Sequence, residues 1–495
     1  MMKIEQDRAY RPGLDRIEEA VISSHFMQEL CRNPRLGLYD DELFSAKALT
    51  ISAHILNDKL LPSLVRASEA FARDRANAAK RRALEHCVRF GLDDPGKLGP
   101  AELITEVMFD RQFRRGPRET CSRDVIRNKV TQRIAMGAPI DMVIPALPYK
   151  FSCPLKTRGQ LPDLAEANFL LGLYEIVVSI EVLYREARPD LEGPLARFTV
   201  ICDGSRFNAL VNEPETVVEL YRRALAGWIR RLGLDGHIEL LDYRAVIQER
   251  LPQTARAAKE ALRQRALHQY SEAMWAVFDP YDMATTLKAA ARIDPDPEQG
   301  NHVGRFVSLL KSLVFIVNYR SLEHYRAASI ERFRVLYREL TSHLFEPFVE
   351  SLEKEQLRLA MLREVWSTAI AYIAEIKSDR ELTHEPICVC LPDHLRWTIH
   401  AKPGQLGLLT PLALGKLVQA WAGAAVFKST GTNRIRLCTV PVLALEGTGA
   451  IPVQTRDTND AAGQPLFYID PDITFASIEE FVADLPVRLV RRRAS

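Results

Sequence analysis

The sequence predicts an α/β fold: a mostly parallel sheet with flanking helices, a helical N-terminal extension and a smaller C-terminal α+β part. Two observations predict the sheet. Within residues 116–260, short apolar runs alternate with long helical patterns in the order strand–helix–strand–helix–strand, which parallel pairing with right-handed crossovers accommodates. The runs "DMVIPA" and "FTVIC", the latter within "ARFTVICDG", are mostly apolar, as strands covered on both faces are.

Taken in order, residues 1–115 read as helical, with "LPSLVRASEAFARDRANAAKRRALEHCVRF" (61–90) rich in good helix formers. "GLDDPGKLGPAE" breaks the pattern with Gly and Pro. In "SRDVIRNKVTQRIAMGAP" the apolar stripe Ile126, Val130 and Ile134 has helical spacing, and Gly137 with Pro139 ends it. After "DMVIPA" a helix is expected from near Pro162, apolar on most sides and therefore central. "ARFTVICDG", the helix "EPETVVELYRRALAGWIRRLGL" and the strand "GHIELLDY" complete the core, 116–260. Residues 261–385 return to helices. In 386–495, "PICVCLPDHLRWTIHAK", "RIRLCTVPVLALEG" and "PLFYID" read as strands, with a short helix at 411–421.

Composition narrows the function. The 495 residues are 47% hydrophobic and 26% charged, and 66 basic against 64 acidic residues leave a net charge of +2. A nucleic-acid binder would show a stronger basic footprint, so no nucleic-acid partner is expected. The tail "VRLVRRRAS" reads as a solvated end. No uninterrupted apolar stretch of about 18 residues is present, and the N-terminus lacks the apolar core of a secretory signal. No membrane partner and a cytoplasmic location are the expectation. The eight cysteines are scattered, without C-x-x-C or H-E-x-x-H, so a dedicated metal site is not expected. Cys388 and Cys390 read as one face of a buried strand.

In open α/β sheets, ligands bind beyond the carboxyl ends of the strands. Lys150, just past "DMVIPA", and Asp203, just past "FTVIC", fall there. Asp203-Gly204 also fits a simple turn. Lys150, Lys156 and Arg158 are able to grip a phosphate or carboxylate beside Gly159, whose missing side chain lets backbone approach an anion; a solvated basic loop is the alternative. Asp163 and Glu166 share one face of a first helical turn, where they either complement the helix dipole or, for Glu166, act as a base. In "LRWTIH", Arg396, Thr398 and His400 share a strand face and suit either water or a polar ligand.

"GAPIDMVIPALPYKFSCPLKTRGQLPDLAEANFL" followed by "FTVICDGSRFNALVNEPETVVELYRRAL" resembles the isonitrile (isocyanide) synthase family of pyoverdine/dityrosine biosynthesis type. The resemblance rests on Pro148-Tyr149-Lys150, the basic pair Lys156 and Arg158, the stretch from Gly159 to Glu166, and Cys202-Asp203-Gly204 with Phe207. "LRWTIH" is similar to a later family strand and places Arg396 and His400.

The resemblance implies a Rossmann-like enzyme that binds no nucleotide and needs no metal or redox cofactor. It implies condensation of the amine of tyrosine or tryptophan with ribulose 5-phosphate, whose C2 becomes the isonitrile carbon, or an N-formyl product as in the fungal branch. It further implies a partner enzyme downstream, an iron/2-oxoglutarate oxygenase. Lys150, Asp203, His400 and Glu166 are then the catalytic candidates, and Lys156, Arg158, Arg206, Arg396 and Asp163 the substrate-binding ones. Lys150 is left with two roles, phosphate ligand or acid/base (or Schiff-base) amine of lowered pKa. The chain departs from the pattern at Phe151-Ser152-Cys153-Pro154, where Ser-Pro-Asn is usual, at Ala209 in place of an acid, and at Ala401 in place of proline. Another amino acid or sugar phosphate, a different carbon–nitrogen bond-forming or lyase reaction, and a noncatalytic binding protein are the rival readings.

Overall fold

The computed structural model describes residues 48–89, 99–114, 122–150, 157, 159, 161–208, 215–293, 355–382, 385–399, 404–408, 418–431, 433–445, 448–455 and 464–491. In chain order the elements are β1 (Leu49–Ile51), α1 (Leu61–Arg89), α2 (Pro100–Met108), α3 (Arg123–Met136), β2 (Ile140–Ala146), α4 (Leu164–Ala187), β3 (Ala196–Cys202), α5 (Glu215–Arg231) and β4 (Ile238–Asp242). Then come α6 (Tyr243–Arg250), α7 (Gln253–Ala276), α8 (Met283–Ile293), α9 (Glu355–Glu381), β5 (Leu395–Thr398), β6 (Leu406–Gly407), β7 (Ala424–Ser429), β8 (Ile435–Val440), β9 (Ile451–Thr455), β10 (Pro465–Ile469) and α10 (Ile478–Arg488).

The chain divides into two units. The larger holds Phe44–Asp203, Glu219–Tyr243 and Leu391–Ser495; the smaller holds Met1–Leu43, Gly204–Val218 and Arg244–Cys390.

The larger unit contains two five-stranded sheets. The first has the order β4-β3-β2-β5-β6, and every pairing in it is parallel. This is the mostly parallel sheet that the alternation of apolar runs and helices predicts. β2 and β3 pair along their whole length, from Ile140↔Ala196 to Ala146↔Cys202, and Cys202 is level with Asp242 of β4. Both strands are buried on both faces except at isolated positions, so apolar residues occupy successive positions. β4 sits at the edge and is half-exposed beyond Ile238.

The second sheet is mixed, with the order β1-β9-β10-β7-β8. β1 enters it in parallel with β9. A strand at 49–51 is not legible in the sequence: three residues, "LTI", are too few to show a period. β7 and β9, of six and five residues, are likewise not among the strands that the sequence predicts.

α4 is the centre of the larger unit. It touches β3 of the first sheet, β7, β8 and β10 of the second, and α1 and α2. Every residue from Leu164 to Ile180 is buried, which is why the sequence is apolar on most sides. α4 is also long and apolar enough to cross a membrane, but 89% of that apolar window is buried inside the protein. α1 lies along it through Ser179 Oγ to the Ala72 carbonyl at 3.0 Å and Tyr174 Oη to Glu69 Oε1 at 3.1 Å.

Helix boundaries follow local chemistry. α3 starts on Ser122, whose hydroxyl accepts from Val125 N, and stops at Gly137 in the left-handed region at φ 64°. α4 begins two residues after Pro162: Asp163 is the N-cap, accepting from Ala165 N at 2.6 Å, while Glu166 Oε2 accepts from Asp163 N at 3.0 Å. This reciprocal capping box fixes the start more firmly than the proline does.

Two sequence expectations are corrected. "PICVC" is a helical turn, Pro386–Cys390, instead of a strand. Cys390 is buried and Cys388 only half-buried, as residues about 200° apart on a helix would be. Five apolar residues cannot distinguish strand from helix by period, and the leading proline suits a first helical turn. The basic tail is not wholly solvated. Arg491 is buried, with Nε 2.6 Å from Glu175 Oε1 on α4 and Nη1 2.5 Å from Asn168 Oδ1. The helix expected at 411–421 lies mostly outside the described residues.

The smaller unit is helical where described, with α7 packed along α9. Trp366 Nε1 donates to the Met274 carbonyl at 3.2 Å across that pair.

Candidate functional site

Strand order reverses between β2 and β5: the chain runs outward from β2 through β3 to β4 on one side, and through β5 to β6 on the other. The carboxyl ends of β2 and β5 therefore form the crevice where ligands of open α/β sheets bind. Leu147 follows β2 directly with φ 56°, a left-handed conformation that costs a non-glycine residue about 1 kcal/mol or more. That turn leads the chain into Pro148-Tyr149-Lys150.

Lys150 is completely buried. Its Nζ lies 2.9 Å from Asp163 Oδ2, 3.0 and 2.8 Å from Glu166 Oε1 and Oε2, and 3.3 Å from the Ala420 carbonyl. Tyr221 of α5, also fully buried, donates its hydroxyl to Glu166 Oε1 at 3.0 Å. The capping box of α4 and the lysine after β2 thus form one cluster. Asp163 and Glu166 sit in the first turn of α4, where they cap the helix as well as complementing its dipole, and the same carboxylates engage Lys150.

Burial acts to lower the pKa of Lys150, but Asp163 and Glu166 hold it above the ordinary lysine value. An amine of lowered pKa, one of the two roles left open for Lys150, is therefore not what this environment makes. Burial raises both carboxyls against the pull of Lys150; Glu166, which also feels Asp163, is pushed up to about 8. Tyr221 is held well above its ordinary value by burial and by Glu166.

Asp203 follows β3 at a neighbouring strand end and is half-buried. Burial, with Asp203 beside it, raises the thiol of Cys202. Arg396, in register with Val143 of β2, is buried, and its guanidinium donates to the Trp397 carbonyl on its own strand. Arg206 belongs to the smaller unit. It pairs with Glu375 Oε1 at 3.0 Å and Asp379 Oδ2 at 2.5 Å, and Lys259 reaches the same two carboxylates at 2.6 and 3.0 Å. Two cations against two acids make that network neutral. Lys156, Arg158 and His400 lie outside the described residues.

Gly159 has a role that the sequence does not show. A Cβ there would stand 1.7 Å from Gln464 Oε1. The space beside the glycine, expected to serve a bound anion, holds the Gln464 side chain. That amide donates from Nε2 to the Leu161 carbonyl at 2.7 Å and accepts from Leu161 N at 3.3 Å. Sequence reasoning also missed Tyr221. Its only signal is its place in the apolar stripe Val218, Tyr221, Leu225, which reads as core and hides the hydroxyl. Among the described residues, no three His, Cys, Asp or Glu side chains converge as metal ligands would.

Residues 130–435, more than half of the chain, match the family described as pyoverdine/dityrosine biosynthesis protein. The chain belongs to that family. An L-tyrosine isonitrile synthase of Pseudomonas aeruginosa is 30% identical over 183 residues, 35% of this chain and 52% of that protein. An L-tryptophan isonitrile synthase of Fischerella ambigua is 28% identical over 107 residues, 22% of this chain and 31% of that one. An L-tyrosine isonitrile synthase of Xenorhabdus nematophila is 28% identical over 89 residues, 18% and 24% of the two chains. The chain thus spans about half or less of the length of the curated relatives that it matches. The crystal structure of PvcA from Pseudomonas aeruginosa aligns with 74% of this chain and all of its own, at 19% identity and a TM-score of 0.43.

Proposed function

We propose that the protein is an isonitrile synthase-like enzyme. It joins the amine of tyrosine or tryptophan to ribulose 5-phosphate, whose C2 becomes the isonitrile carbon or the carbon of an N-formyl product. The observation that carries the reading is the Lys150–Asp163–Glu166 cluster, built from two sequence motifs of the family and seated after β2, where strand order reverses. The names of the three matched relatives support isonitrile formation on tyrosine or tryptophan.

In this proposal the chain's residues divide the work by chemical type. Condensation with a carbonyl needs a neutral amine, so a base must take a proton from the substrate ammonium; Asp203 and His400 fill that place. The sugar phosphate brings about two negative charges, which Lys156, Arg158 and Arg396 are suited to hold. Lys150 and Glu166 stand behind the site as a buried acid–base pair, with Asp163 fixing both. Arg206, neutralised by Glu375 and Asp379, is a weaker candidate for binding phosphate. A cytoplasmic location and a downstream oxygenase belong to the same proposal.

Incubation of the full chain with tyrosine or tryptophan and ribulose 5-phosphate, followed by mass spectrometry and a free-phosphate assay, tests the reading. Formation of an isonitrile or formamide together with phosphate is the expected result. If a panel of amino acids and pentulose phosphates releases neither, the assignment is wrong.

A further inference from the structure

The Lys150 cluster contains two carboxyl groups and one cation, so with every group ionised it carries one net negative charge. Lys150, Glu166 and Tyr221 are 0% exposed and Asp163 2%, which makes that charge costly to keep. One added proton removes it. The hydrogen bonds decide where the proton goes, because a protonated carboxyl becomes a donor and needs an acceptor opposite.

Asp163 is the poorer place. Among the described residues its Oδ1 faces the Ala165 N–H and its Oδ2 the Lys150 ammonium, both donors, and its side-chain hydrogen bond with Glu166 favours the ionised Asp163. Glu166 Oε2 faces the Lys150 ammonium and the Asp163 N–H, both donors. Glu166 Oε1 differs: besides Lys150 it faces the hydroxyl of Tyr221 at 3.0 Å, and a hydroxyl is able to accept as well as donate. Among the described residues Lys150 also faces the Ala420 carbonyl, an acceptor for the ammonium. The thiol of Cys202 on β3 also acts on Tyr221.

We propose that Tyr221 is a positioning residue that makes Glu166 the proton store of the cluster, the Oε1–Oη hydrogen bond reversing direction as one proton enters or leaves. With Glu166 ionised, Tyr221 donates to Oε1. With Glu166 protonated on Oε1, Tyr221 accepts and Lys150 keeps its charge against Asp163. No bond other than O–H changes, and the proton exchanges with the solvent or the reacting groups. The inference deepens the proposed synthase reading, and rests on it, only in giving this proton a use in amine activation.

Infrared difference spectroscopy of the full chain across a pH titration tests the store without requiring turnover. The expected result is a protonated-carboxyl C=O band that titrates in the neutral range, well above ordinary carboxyls, and is lost in Glu166→Gln. In Tyr221→Phe the band should move to higher frequency. Its midpoint should rise by about one pH unit, because the ionised carboxylate loses a stronger hydrogen bond than the neutral acid does. No neutral-range band in the wild-type chain overturns the proposal, as does a band that survives Glu166→Gln or one that Tyr221→Phe leaves unchanged in frequency and midpoint. If Tyr221→Phe fails to fold by circular dichroism, the wild-type and Glu166→Gln titrations still decide. Absence of any isonitrile product would sink the synthase reading and leave this result standing.

Discussion

Arg491 Nε and Glu175 Oε1 meet at 2.6 Å with both side chains buried, tying the last described residue to the central helix. The pair explains how α4 tolerates a carboxylate in its covered middle. Removing one partner of a buried pair leaves an uncompensated charge, which typically costs about 3–5 kcal/mol. Arg491→Met should lower stability on that scale, read as a shift in the urea midpoint. The double variant Arg491→Met with Glu175→Met should recover much of the loss, since both charges are then gone.

Gly159→Ala should be destabilising out of proportion to its one methyl group. The new Cβ overlaps Gln464, so the amide must swing away and give up both bonds to Leu161, at about 1 kcal/mol each. In a Gln464→Ala background the same change should cost little more. That non-additivity, measured in a double-mutant cycle by thermal or urea unfolding, is the readout; two strictly additive losses would contradict the contact.

Stability should depend on pH through Glu166. Its carboxyl is raised from 4.5 to about 8 in the folded protein, chiefly by burial. Between those values the folded state binds the proton and the unfolded chain does not, so the contribution is fully present below about pH 4.5 and is lost as pH rises through about 8. Glu166→Gln should flatten that fall relative to the wild type. An identical stability profile from pH 4 to pH 9 in both chains, on the order of one measurement series, would refute it.

Arg206→Met should behave as a stability variant of the smaller unit. It strips Glu375 and Asp379 of one of their two cations, at a cost of roughly 1–3 kcal/mol, and leaves Lys259 in place. If the chain proves to be a sugar-phosphate enzyme, KM for that substrate should change little. A large KM increase with unchanged stability would return Arg206 to the binding residues.

Arg158→Ala should do the reverse, raising KM for the sugar phosphate several-fold or more while amino-acid binding stays within about twofold, since lost phosphate contacts act on one ligand. Equal, small effects on both substrates would make residue 158 part of a solvated loop.

The sequence by itself determined what local pattern and composition carry. Mostly apolar runs identified β2 and β3, helix-forming composition identified α1, helical spacing identified α3, and a segment apolar on most sides identified α4 as central. The Lys150, Asp163 and Glu166 motif residues and the family resemblance were also legible, because residue types in order survive without coordinates. Some short elements were not: β1, β7 and β9 carry no pattern that marks them as strands, and the five residues Pro386–Cys390 fit strand and helix alike.

Partnership was decided only by the tertiary structure. Whether Lys150 meets an anion or a pair of carboxylates, whether Gly159 admits a ligand or Gln464, and whether Arg491 faces water or Glu175 depend on residues brought together from distant parts of the chain. The physical reason is that burial and charge pairing are properties of a place, and in these three cases the partners lie 16, 305 and 316 positions apart in the numbering. No spacing rule reaches that far.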